Sequence, residues 1–106
     1  MYKKIFVLAH LKLFEGENMR RTPIYSKYRP IFDFKGARTK VSARIDLLDR
    51  ESLVPGSSTT VQITFLQGMI DDKYFKKDEP FTFTEGNFIL GEGKILERLN
   101  TSRVDM

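Results

Sequence analysis

The chain has 106 residues with 41% hydrophobic and 30% charged side chains, the balance of one soluble globular domain with a core of its own. It contains no cysteine, which excludes a disulfide framework, a thiolate metal site and a cysteine nucleophile. Its net charge of +4 is uneven. Nine basic residues and three acids fall between Arg20 and Arg50, a segment of net +6, and the remainder carries −2. This asymmetry permits a polyanionic partner, although basic side chains on outward strand faces also protect sheet edges.

The first element is a long strand from about Lys3 to Phe14, apolar on both faces in places. Its apolar run, Ile5 to Ala9, is too short to cross a bilayer as a helix. His10 and Lys12 interrupt the run and no small-residue cleavage site follows, so a cytoplasmic protein with no membrane association is expected. Glu15-Gly16-Glu17-Asn18 is a loop. The stretch Arg20 to Phe34 follows, with Pro23 and Pro30 at strand entrances and Phe32 and Phe34 flanking Asp33.

Lys35-Gly36-Ala37 is a loop, and Val41, Ala43, Ile45 and Leu47 then alternate with polar residues as in a half-buried strand. Leu48 to Leu53 is the one place for a helical turn, and Pro55-Gly56-Ser57-Ser58 is a strong turn. Val61, Ile63 and Phe65 form the next inward row, and Phe81 and Phe83 another after Pro80. A tight turn at Glu85-Gly86-Asn87 leads into a last long strand ending near Leu99. Six strands with short turns predict an all-β fold, a closed or nearly closed six-stranded antiparallel barrel. Val41, Ile45, Val61, Ile63, Phe65, Phe81 and Phe83 are its expected core. The domain spans 1–100, and 101–106 form a frayed polar tail.

Little in the chain supports catalysis. His10 is the only histidine and reads as a strand residue; no base stands ready for a serine nucleophile. Asp71-Asp72 has no spaced set of oxygen ligands around it and reads as a solvated loop. Gly91-Glu92-Gly93-Lys94 resembles a phosphate loop faintly but lacks its spacing and its Ser/Thr, so these glycines read as structural. A non-enzyme with no cofactor, metal or bound nucleotide is expected.

Three blocks carry a family resemblance. Arg20 to Phe34 is similar to an Arg-x-Thr-Pro-Phe then Gly-Tyr-Arg-Pro-Gln-Phe-Tyr-Phe motif, Val54-Pro55-Gly56-Ser57 to a Met-Pro-Gly-Asp turn, and Glu85 to Gly93 to Glu-Gly-Gly-Arg-Thr-Val-Gly-Ala-Gly without a gap. In this order they resemble the third, C-terminal β-barrel domain of elongation factor Tu, over about residues 3 to 99. Neither a GTPase domain nor a second barrel accompanies them, so a stand-alone module is expected.

The resemblance implies a non-catalytic binding role connected with translation. It places Arg20, Arg21, Lys27, Tyr28 and Arg29 near the surface that in the family faces the T arm of aminoacyl-tRNA and the GTPase domain. Arginine forks beside a tyrosine suit phosphate and ribose contacts; packing and pairing across the surface is the other reading. The chain departs from the family at Ile31, Phe88, Ile89 and Glu92, where polar or small residues have become apolar or acidic. These changes should weaken tRNA binding, and Phe88, Ile89 and Leu90 instead point to a protein partner or self-association. An RNA-binding module using the 20–50 segment on a tRNA-like helix, and a decoy or immunity-type protein, are the alternatives.

Overall fold

The computed structural model describes residues 3–17 and 19–104; Asn18 of the first loop and the last two residues of the tail lie outside them. Alternation of apolar and polar side chains shapes the chain over 41–47, 59–65 and 81–84, while its first and last strands are apolar on both faces in places. Among the described residues nine strands form: β1 (Lys4–Leu13), β2 (Ile24–Tyr25), β3 (Ile31–Phe34), β4 (Val41–Ser42), β5 (Arg44–Leu47), β6 (Ser52–Leu53), β7 (Ser58–Leu66), β8 (Pro80–Glu85) and β9 (Phe88–Leu99). Seven of them make one antiparallel sheet in the order β4-β3-β8-β9-β1-β7-β5, and β2 pairs with β6 in a small second sheet.

The fold is all-β, and its main sheet is a curled, open half-barrel of seven antiparallel strands. The stretch from Val41 to Leu47, read as one strand, divides at Ala43 into β4 and β5, which bond to different neighbours at opposite ends of the sheet order. The break has a chemical cause. Ala43 N–H donates to the Pro30 carbonyl at 3.2 Å, and Pro30 has no N–H to return, so the β3–β4 ladder stops there. The sheet's two ends are thus consecutive pieces of chain.

Curling brings the inward rows together. Ile45 lies opposite Ile63, and Ile63 opposite Val7; Leu47, Val61 and Ala9 form the next row. All seven expected core residues are buried. Phe32 packs edge-on against Phe65 and Phe81 at centroid distances of 5.5 and 5.3 Å, and Phe65 reaches Phe75 at 4.8 Å. Phe75 comes from a single 3-10 turn, Asp72–Phe75, where a loop was expected. Asp71 caps that turn by accepting from Lys73 N–H at 2.9 Å, and Asp72 pairs with Arg98, which accounts for both acids structurally. Leu48 to Leu53, the one place open to a helical turn, holds bends and β6 instead.

The tail differs from expectation too. Thr101 to Val104 is not frayed but folds over the outer face of β7, where Ser102 Oγ accepts from Gln62 Nε2 at 2.9 Å and Arg103 N–H donates to Gln62 Oε1 at 2.7 Å. Gln62 is therefore 0% exposed although it points away from the core, and Leu8 opposite it is buried with it. This cover explains why β1 is apolar on both faces.

Candidate functional site

The β8–β9 hairpin builds the most distinctive surface. Its ladder slips between Phe83 and Thr84: Thr84 faces Ile89 while Phe83 faces Gly91, so Leu90 is an extra residue. The bulge places Leu90 inward, 4% exposed, while at the tip Phe88 (60%) and Ile89 (49%), opposite Glu85 and Thr84 on alternate faces, both stand in solvent. Leu90 thus backs the apolar tip from beneath and is not itself presented, a correction to the three-residue patch. Ile31, opposite Thr84 on β3, is exposed and extends the row Ile89–Thr84–Ile31 across three strands.

Arg20 and Tyr28 meet this hairpin from the preceding loop. Tyr28 Oη donates to Glu85 Oε1 at 2.6 Å, and Arg20 Nη1 stands 3.4 Å from the same oxygen. The Arg20 guanidinium lies 4.9 Å from the centre of the Tyr28 ring, and its Nε and Nη2 donate to the Thr22 and Pro23 carbonyls at 3.1 and 3.3 Å. Partial burial, then the hydrogen bond to the Glu85 carboxylate and its charge, push the Tyr28 phenol well above its ordinary range, and Arg20 offsets part of this. Tyr28 is therefore a fixed donor at neutral pH. Arg20, Thr22, Glu85, Phe88, Leu90 and Met19 together line a surface cavity of about 380 Å³.

The five basic-cluster candidates do not form one site. Arg20 and Tyr28 belong to the hairpin rim. Arg21 and Lys27 are exposed, and Lys27 takes a left-handed φ of 77° that lets its N–H reach the Ile45 carbonyl at 2.8 Å. Arg29 is also exposed and lines a different cavity with Lys4 and Arg44. Glu85, the residue that joins the rim, read as a turn position in the sequence; its partners stand 57 and 65 positions away, beyond any local pattern.

The remaining motifs resolve into packing. A Cβ on Gly91 would collide with the Lys12 carbonyl and the Phe83 ring, and one on Gly93 with the His10 carbonyl and the Phe81 ring. These glycines let β9 lie against β1 and over the core aromatics. Among the described residues no three His, Asp or Glu side chains gather as a metal site, and His10 is exposed. No helix among the described residues is long and apolar enough to cross a membrane. No protein-family model matches the chain.

Proposed function

We propose that the protein is a non-catalytic binding module, similar to the third barrel domain of elongation factor Tu, that docks a protein partner of the translation machinery through the β8–β9 hairpin tip. In this reading β4 and β5 count as one strand across Ala43, and the curled sheet acts as the six-stranded barrel of that family. The observation that carries the docking role is the pair of adjacent exposed apolar residues, Phe88 and Ile89, on a hairpin that Tyr28 and Arg20 hold through Glu85. An aromatic anchor on a braced hairpin is the kind of residue that dominates interface energy, and the bracing lowers the cost of ordering the backbone on binding. The partner it suits offers an apolar pocket.

An RNA-binding reading has its own support. Six basic residues of the 20–50 segment, Arg21, Lys27, Arg29, Lys35, Arg38 and Lys40, are exposed and outside every ion pair among the described residues. Such charge binds phosphates without reading sequence.

The two readings separate in one experiment. Wild type and Phe88→Glu, both checked for folding, are used to capture partners from native lysate, and captured proteins are purified and tested one to one. A protein that binds wild type and not the variant, and that resists high salt, supports docking at the hairpin. Identical binding by both, or capture of RNA alone that salt removes, overturns it.

A further inference from the structure

A second surface, away from the hairpin tip, gathers three cations of which, among the described residues, only Arg44 has an acid beside it. Lys4 at the start of β1, Arg29 before β3 and Arg44 on β5 line one cavity of about 220 Å³. Ser42 and Thr64 add hydroxyls, Leu66 and Met69 form an apolar side, and no carboxylate lines it. The pairing of the sheet assembles part of this set: Arg44 lies opposite Thr64 and Leu66 opposite Lys4, so three adjacent strands hold Lys4, Arg44 and Thr64 in register, and Arg29 joins them from the segment before β3.

The charges differ in availability. Arg44 is engaged by Asp46, with a directed bond from Nη2 to Oδ1 at 3.0 Å and an off-angle ionic contact from Nε to Oδ2 at 2.9 Å. Lys4 and Arg29 have no anionic partner among the described residues. Thr64 supplies an independent sign of a ligand. It is 7% exposed, and its hydroxyl has no hydrogen-bond partner among the described residues. Buried hydroxyls are normally satisfied, so one left open beside two free cations marks a place for an acceptor.

We infer that this cavity binds the phosphate group of a monoester. A monoester phosphate carries a charge of about −1.5 to −2 near neutrality, which two uncompensated cations match better than they match the single charge of a diester. Arg29 presents a fork for two phosphate oxygens and Lys4 a point charge. The Thr64 hydroxyl donates to a phosphate oxygen, and Leu66 and Met69 contact the organic part of the ester.

The test uses inorganic phosphate, phenyl phosphate and a phosphoserine peptide against the whole chain, by calorimetry and by amide shifts in NMR spectra. Saturable binding is expected, with shifts at Arg44, Thr64 and Leu66. Lys4→Gln and Arg29→Gln should each weaken it roughly tenfold or more, the size of a lost charge-assisted hydrogen bond. Thr64→Val keeps the shape of the side chain, so it should fold with an undiminished Tm in the absence of phosphate and bind the esters less well. Phe88→Glu should bind them normally, which keeps this site separate from the hairpin. Preference for the peptide assigns the monoester to a protein, and preference for phenyl phosphate assigns it to a small molecule. Absence of saturable binding overturns the inference, as does binding that the Lys4→Gln, Arg29→Gln pair leaves intact. So does a short RNA that depends on these residues when none of the monoesters bind.

Discussion

The Tyr28 hydroxyl donates to the Glu85 carboxylate at 2.6 Å, and this bond fastens the loop before β3 to the hairpin tip. Tyr28→Phe keeps the ring under Arg20 and removes only the donor. It should cost about 0.5–1.5 kcal/mol of stability in denaturant unfolding, the range for one such bond.

The same bond sets a pH dependence. Tyr28 is held above its ordinary value of 10.0, so the folded protein keeps that proton after the unfolded chain has lost it. Its contribution is complete below pH 10.0 and declines as pH rises above that value. In a spectrophotometric titration of tyrosinate, the difference between wild type and Tyr28→Phe should show one phenol ionising later than a free tyrosine. A difference curve centred at the ordinary value would mean that the phenol is solvated and not bound to Glu85.

Gln62 and the tail form a closed set of hydrogen bonds. Gln62→Met leaves the Arg103 N–H and the Ser102 hydroxyl without their partner on β7. A loss of about 1–3 kcal/mol is expected in chemical denaturation, with faster hydrogen exchange at the Arg103 amide. Unchanged exchange would show that the tail is held by something other than Gln62.

The core was legible in the sequence because alternation decides a side chain's face wherever one side of a strand is buried. Val61, Ile63 and Phe65 needed no knowledge of their neighbours. The division at Ala43 was not legible, because it depends on the meeting of Ala43 with Pro30, which only the assembled sheet creates. Gln62 read as outward, and it is; its burial comes from four tail residues arriving from 40 positions away. The Arg20 side of the candidate site was visible as composition, but the Glu85 junction was not, since a turn glutamate looks the same whether or not an arginine and a tyrosine find it. Phe88 and Ile89 keep opposite faces, across from Glu85 and Thr84, and both are exposed because they sit at the hairpin tip; the bulge changes the phase only at Leu90, which alternation alone could not show.

Phe65 sits among Phe32, Phe34 and Phe75 at centroid distances of 5.5, 5.9 and 4.8 Å. Phe65→Ala should cost about 3–5 kcal/mol and bring the domain close to unfolding at room temperature. Thermal and denaturant melts measure this directly; a loss below about 1 kcal/mol would mean that the aromatic cluster closes over the gap.

Gly93→Ala tests the packing role of the Gly91-Glu92-Gly93-Lys94 segment. The added methyl meets the His10 carbonyl and the Phe81 ring, so β9 has to move off β1. A cost of about 1–3 kcal/mol is expected, with NMR shifts along the β1–β9 ladder. Lys94→Ala, at an exposed position paired with Asp78 across 3.8 Å, should change stability by less than about 0.5 kcal/mol. A reversed order of the two effects would return attention to this segment as a ligand site.

The basic segment divides into anchored and free charges, and salt dependence distinguishes them. Affinity for a short RNA duplex, measured at several salt concentrations, yields a log–log slope that counts phosphate contacts. Arg21 and Lys27 project into solvent without a side-chain partner among the described residues, so Arg21→Gln and Lys27→Gln should each flatten that slope by about 0.7–0.9. Arg20 is different. Its guanidinium is committed to Glu85, to the Tyr28 ring and to two carbonyls, so its charge is already balanced. Arg20→Gln should leave the slope almost unchanged while lowering stability and loosening the hairpin, visible as shifts at Glu85 and Phe88. Equal slopes for wild type, Arg21→Gln and Lys27→Gln would show that the exposed charges keep the protein soluble and touch no phosphate. A flattened slope for Arg20→Gln alone would mean that Arg20 leaves Glu85 to meet the RNA, and that the rim is itself the nucleic-acid contact.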